Sequence, residues 1–297
     1  MLLAILVPIV VASLAFMAYL IRATVIARAV PRVEAVILSL IVNFFDTLGI
    51  GSFAPTTAWL KFRKLVPDRL IPPTMLVGLG PPTLAESIIF LLLLGVKVDP
   101  ILLIGCSVSV LLGGLIGAPL VARTRVWVIQ LVVAVALLIA AGLYGLTNLH
   151  MMPGGGTAST LPMTLTIIAI VANFLFGVLL NFGVGNYAPT LVMFSLMGMD
   201  PRLVFPIMAT GGALTVAGAG ARHIAIGEID MRIVIGLALG GIPAVLVAAF
   251  LVKQMPLEML RWLVIVVVLY AAAIMFRASM IGRKDSRSPE AAATVVL

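Results

Sequence analysis

Apolar residues run along this chain in long unbroken stretches, separated by short polar or charged breaks. The stretches cover roughly 2–21, 36–60, 71–95, 100–121, 126–147, 164–197, 203–220, 232–251 and 258–277, and about twenty apolar residues in a helix cross a bilayer. A transmembrane strand would alternate apolar and polar positions. Runs such as Ile129 to Ala141 do not alternate, so the stretches read as helices. The polar end from Gly282 to Leu297 reads as a disordered tail. The first stretch has no basic residue before it and Arg22, Arg28 and Arg32 after it, which predicts a retained helix rather than a cleaved leader.

Two stretches are interrupted, and in the same way. Gly49-Ile50-Gly51-Ser52-Phe53-Ala54-Pro55-Thr56 and Gly183-Val184-Gly185-Asn186-Tyr187-Ala188-Pro189-Thr190 share one pattern, 134 residues apart. At that offset Pro67 matches Pro201, Pro72 matches Pro206 and Gly78 matches Gly212. This is an internal repeat. The run 36–48, at 1.5 Å per residue, reaches only about 20 Å of a core about 30 Å thick. Each interrupted stretch is therefore expected to enter the membrane and turn back.

Charge tests that expectation, because cytoplasmic loops collect Lys and Arg. With both stretches re-entrant, Arg22, Arg28, Arg32, Lys61, Arg63, Lys64, Arg69, Arg123, Arg125, Arg222, Arg232, Arg277, Arg283, Lys284 and Arg287 share one side, against Lys97, Arg202, Lys253 and Arg261, a split of 15 to 4. With both stretches crossing fully, the split is 9 to 10. The re-entrant arrangement carries the bias and puts the larger group in the cytoplasm, with the N-terminus outside and the C-terminus inside. Each repeat then holds one hairpin and three spans, an odd number, so the second copy is inverted relative to the first. Inverted repeats with broken helices are a common plan of secondary transporters. The expected fold class is an all-α polytopic membrane protein of two inverted repeats, each a re-entrant helical hairpin plus three transmembrane helices, with an extra N-terminal helix. The expected divisions are 1–34 (N-terminal helix and basic loop), 35–147 (first repeat), 148–163 (external Gly-rich linker), 164–277 (second repeat) and 278–297 (cytoplasmic tail).

Composition narrows the class. The chain of 297 residues is 63% hydrophobic and 10% charged, with a mean hydropathy of +1.27. So few charges cannot cover a soluble body, which excludes a soluble enzyme and a nucleic-acid-binding domain. The net charge of +8 records membrane orientation. The single cysteine, Cys106, allows no internal disulfide. No G-x-x-x-x-G-K-[ST] or H-E-x-x-H occurs, and neither a cofactor nor a metal is expected.

The repeated motif has a physical reading. Its glycines admit an unwound turn, and its proline suits the first turn of a new helix. A half-helix starting there offers free N–H groups and a partial positive charge, an anion site made of backbone. The candidate binding residues are Gly49, Gly51, Ser52, Phe53, Ala54, Pro55, Thr56 and Thr57 in the first copy, and Gly183, Gly185, Asn186, Tyr187, Ala188, Pro189 and Thr190 in the second, with Asn181 just before it. Inversion would bring the two half-helix starts together around one small anion. The bland alternative makes these residues kinks or close-packing points, as expected for Gly113/Gly117 and Gly236/Gly240. Two acids lie within membrane segments, Asp46 and Glu86. Ionisable residues there are functional candidates, and both could carry a coupled proton or sodium ion. Their counterparts at the repeat offset are Leu180 and Gly220, so such a coupling site is asymmetric. Asn43 and Asn173 read equally well as helix–helix hydrogen bonds, and His150 and His223 as solvated loop residues. Phe53, Tyr187 and Trp59 could bound an organic tail.

The duplicated motif, with the order of apolar segments over most of 36–277, resembles the TauE/SafE family, also called the toluene-sulfonate uptake permease family. That family is better known for G-x-G-G-G ahead of the proline; here Ser52, Phe53, Asn186 and Tyr187 replace the later glycines. The resemblance implies secondary transport, often export, of small sulfur-containing anions such as sulfite, sulfonate or sulfoacetate, in the inner (cytoplasmic) membrane. Three other readings compete: a carrier of another ligand such as a carboxylate or a cation, an anion channel, and an intramembrane enzyme. The last rests on Gly105-Cys106-Ser107-Val108, which lacks the glycine that should follow the serine.

Overall fold

A computed structural model of the chain describes residues 2–49, 51–67, 70–94, 97–117, 126–149, 151, 156–180 and 186–285. The described residues form helices α1 (Leu2–Ala27), α2 (Val33–Thr47), α3 (Phe53–Phe62), α4 (Ile71–Gly78), α5 (Gly80–Leu93), α6 (Pro100–Gly117), α7 (Val126–Asn148), α8 (Met163–Leu180), α9 (Tyr187–Leu196), α10 (Pro201–Ile226), α11 (Met231–Gln254) and α12 (Leu257–Asp285). Their one extended contact is an isolated bridge between Ala158 and Met199. The expected all-helical membrane class therefore holds.

Among the described residues seven helices are long and apolar enough to cross a membrane: Leu6–Ala27, Ile71–Leu93, Pro100–Gly117, Trp127–Leu146, Pro201–Ile226, Met231–Gln254 and Leu257–Arg283. The span 71–93 comprises α4 and α5 joined at Leu79, with Pro81 and Pro82 in the first turn of α5, where a missing N–H costs little. The two interrupted stretches contribute shorter helices. α2 has 15 residues, α8 has 18, and α3 and α9 have 10 each, so at 1.5 Å per residue they reach about 22, 27 and 15 Å.

Burial sorts the spans. About 71% of the 201–226 window and 67% of the 71–93 window lie inside the protein, against 22% for 6–27 and for 127–146. α5 and α10 form the centre, where Phe90 and Phe205 meet with ring centroids 5.1 Å apart. α1 lies outside and presses Phe16 between Gly80 and Gly220, on α5 and α10. α2 packs along α11, α8 along α6, α7 along α12 and α5 against α10. Lipid replaces water on the outer faces, where Val11, Leu14, Ile139 and Val247 are exposed.

Small residues set the tightest crossings, as expected for Gly236, Gly240 and Gly113. The backbone of Val36 lies where a Cβ at Gly240 would go, Arg32 and Ala35 crowd Gly236, and the carbonyl of Phe174 crowds Gly113. At the α2–α11 crossing the Ser39 hydroxyl donates to the Leu237 carbonyl.

Two elements extend beyond the sequence expectation. α12 continues through the start of the expected tail to Asp285, so residues 282–285 are helical rather than disordered. The reason is α7: Ser279 Oγ donates to the Trp127 carbonyl at 2.8 Å, and Arg283 stands 5.8 Å over the Trp127 ring. Likewise α10 runs to Ile226, so His223 lies on a helix, its carbonyl accepting the Gly227 N–H at 3.1 Å, rather than in a loop. His150 lies outside the described residues.

Replacing Gly240 with leucine is expected to lower stability by about 1–3 kcal/mol through overpacking. Nothing lies within 4 Å of a Cβ built at Gly142, so Gly142→Ala is expected to be neutral or slightly stabilising. Thermal unfolding of the two purified variants in one detergent distinguishes them.

Candidate functional site

The first break is built on two glycines. Gly49 and Gly51 have φ of 96° and 88°, in the left-handed region that disfavours a Cβ. The Gly49 N–H closes the end of α2 on the Asp46 carbonyl at 2.7 Å. The chain then reverses so that Ser52 returns to the Asp46 side chain. Ser52 N–H donates to Asp46 Oδ1 at 2.9 Å, and Ser52 Oγ donates to Asp46 Oδ2 at 2.9 Å. Both residues are buried. The carboxylate thus sits at the start of α3, satisfying a backbone donor that the break leaves free. The Thr56 hydroxyl turns back to the Ser52 carbonyl at 2.7 Å and that of Thr57 to the Phe53 carbonyl at 2.9 Å. Gly51, Pro55 and Thr57 line the break and the first turn of α3; the side chain of Ala54 lies outside the described residues.

Asn186, Tyr187, Ala188, Pro189 and Thr190 of the second break are all buried. Thr190 Oγ1 donates to Asn173 Oδ1 at 3.4 Å, linking α9 to α8, so Asn173 makes the expected interhelical hydrogen bond. Asn43 bonds within its own helix, its Nδ2 reaching Ser39 Oγ at 2.8 Å. The expectations for Asn181, Gly183 and Gly185 lie outside the described residues.

The start of α9 also reaches α5. Tyr187 Oη donates to Glu86 Oε1 at 3.4 Å across 101 residues of sequence. Glu86, on α5, is 1% exposed and its Oε2 has no partner. Glu86 and Tyr187 both lie within electrostatic range of Asp46. A Cβ at Gly49 would touch Leu191 of α9 at 3.3 Å, and one at Gly212 would lie 3.6 Å from the Tyr187 hydroxyl. Asp46 with Ser52 and Glu86 with Tyr187 are thus two buried polar pairs. Asn186 Nδ2 is also buried without a partner.

Other aromatic candidates stand elsewhere. Phe53 is 45% exposed, and Trp59 is 41% exposed at the open end of the α2–α3 pair. There Trp59 Nε1 and Arg63 Nε donate to Glu34 Oε1 at 3.1 and 2.8 Å, and the Arg63 bond holds the Glu34 carboxyl below its usual pKa. Sequence reading missed the Ser87–Thr210 contact, 3.3 Å between hydroxyls of α5 and α10; its only signal was Ser87 following Glu86. Ser107 is buried with no hydrogen-bond partner for its hydroxyl, so no described base activates it.

The family model Sulfite exporter TauE/SafE matches residues 165–297, from the start of α8 through the second motif to the last residue. No curated protein and no solved structure matches the chain. Seven apolar helices of spanning length make this a multi-pass membrane protein. The match is consistent with a TauE/SafE family membrane transporter.

The Tyr187–Glu86 contact is expected to show coupling in a double-mutant cycle. Tyr187→Phe and Glu86→Leu together should differ from the sum of the single effects by about 0.5–3 kcal/mol in reversible unfolding. Additive values would mean that the two groups do not interact.

Proposed function

We propose that the protein is a secondary transporter of small sulfur-containing anions such as sulfite, sulfonate or sulfoacetate, working by alternating access around the two motifs. The observation that carries the reading is a pair of buried polar contacts, Ser52 with Asp46 at the start of α3 and Tyr187 at the start of α9 with Glu86, with Gly49 of the first break packed against Leu191 of α9. Oxyanions with several acceptor oxygens suit converging N–H, hydroxyl and amide donors. The family description supports the sulfur-oxyanion class and export as the direction.

The packing supports the inverted-repeat reading. Exchange the hairpin and spans of the first repeat (α2–α7) with those of the second (α8–α12), taking α4–α5 as one span. The α2–α11 contact then becomes α8–α6, while α5–α10 and α7–α12 map onto themselves. The exchange fails at the half-helices. α9 is held by α7, α8, α10 and α12, whereas α3 packs on α2 and α4. One half-helix clamped and one loosely held is the asymmetry expected of a carrier caught facing one side. Asp46 and Glu86 are the coupling candidates, because burying two carboxyls calls for a proton or cation to neutralise them. In this reading the protein resides in the inner membrane, with the N-terminus outside and the C-terminus in the cytoplasm.

Labelled sulfite, sulfoacetate and taurine in reconstituted vesicles test the function: saturable uptake and counterflow exchange of at least one are expected. No saturable binding of any anion refutes it, and unsaturable flux without counterflow indicates a channel. Gly51→Ala adds no clash but strains the left-handed turn by about 1–2 kcal/mol, so transport should fall more than expression does. Topology is tested separately. Cysteines introduced by Lys61→Cys and Arg202→Cys should label from opposite sides of the membrane, and labelling from one side would mean that the broken segments cross fully.

A further inference from the structure

The first half-helix already holds an anion, and that anion belongs to the protein. Both Asp46 oxygens are engaged by one residue, Ser52, through its N–H and its hydroxyl at 2.9 Å each. The second half-helix differs. The residue equivalent to Asp46 is Leu180, and the residue equivalent to Ser52 is Asn186, whose buried Nδ2 donates to nothing. One tip is therefore plugged and the other carries an unused donor. An anion held between the tips needs the donors of Ser52, and these cannot serve two anions at once.

We propose that Asp46 competes with the transported anion for Ser52, and that the anion takes that place only after the Asp46 carboxylate has accepted a proton. The inference rests on the transport reading above. In the step, a hydronium ion arriving with the guest gives its proton to Asp46, forming an O–H bond there and leaving neutral water. The two hydrogen bonds from Ser52 are released and pass to oxygens of the guest. When the guest leaves, the proton leaves with it and the carboxylate recaptures Ser52. One proton crosses with each guest and cancels one of the guest's negative charges. The titratable groups facing Asp46 are Glu86 of α5 and Tyr187 of α9. At the turn beside Asp46, α9 and α12 contribute Leu191 and Val267 against Gly49, which carry no charge, while α11 meets α2 two turns or more away, at Val36 and Ser39, through the uncharged Gly240 and Leu237. Glu86 is held by Tyr187 rather than Ser52, so it does not block the half-helix start.

The test uses the full chain, sodium-free buffer and two labelled probes, sulfite and sulfoacetate, with binding measured from about pH 5.5 to about pH 8.5. Wild-type affinity is expected to fall as pH rises, approaching tenfold per unit where Asp46 is ionised. Asp46→Asn carries no charge at any pH, so the ratio of its affinity to that of the wild type should climb with pH; the ratio cancels any titration of the probe. In vesicles with a trapped pH dye and sulfoacetate, whose two acid groups stay ionised over this range, wild-type uptake should acidify the interior and D46N uptake should not. Equal pH slopes for the two proteins, or wild-type uptake that requires sodium and moves no protons, would overturn the proposal. If D46N proves misfolded in a thermal melt, the wild-type dye signal decides alone: acidification without sodium supports the swap and its absence rejects it. A wild type that binds neither probe rejects the transport reading itself, and the swap with it.

Discussion

A helix that stops inside a hydrocarbon layer leaves backbone N–H groups where no water can reach them, and every such group must find a partner within the protein. The described residues of the first motif meet that requirement. At the first break Asp46 supplies the partner to Ser52, and the left-handed angles at Gly49 and Gly51 allow a residue six positions later to come back to it. Proline at the third helical position of α3 and of α9, Pro55 and Pro189, removes one further donor that would otherwise need a bond.

The same constraint explains which parts of the protein were legible in the sequence. Spans follow from runs of apolar residues, and breaks follow from Gly-x-Gly and Pro-Thr, all of them local signals; hence the close agreement between the apolar stretches and the helices. Tight crossings at Gly113, Gly236 and Gly240 were equally readable, because a missing Cβ speaks for itself. The Asp46–Ser52 cap was not. It depends on two backbone angles that the sequence permits without dictating. The Tyr187–Glu86 contact joins residues 101 apart, and no period or motif marks it. The extra turns of α12 were missed because their support, Trp127, lies on another helix.

The duplication was legible and its imperfection was informative. The glycines and prolines of the two motifs are identical, while the acids and the hydrogen-bonding side chains around them differ. Asp46 against Leu180 and Glu86 against Gly220 put both acids in one repeat. Ser52 against Asn186 and Phe53 against Tyr187 give the two tips different donors. The fold places the exposed ring of Phe53 outward and the hydroxyl of Tyr187 inward, so equivalent positions serve different ends.

That asymmetry bears on why the protein tolerates two buried carboxyls at all. A buried charge without a partner is expensive, and selection for stability alone would favour Leu and Gly at these positions, as the second repeat in fact has. Asp46 recovers part of the expense through two hydrogen bonds from Ser52, but Glu86 keeps only a long bond from Tyr187 and leaves Oε2 unpaired. Glu86, kept at a net loss in stability and bonded only at long range to Tyr187 at the start of α9, is not explained by what it holds together at rest.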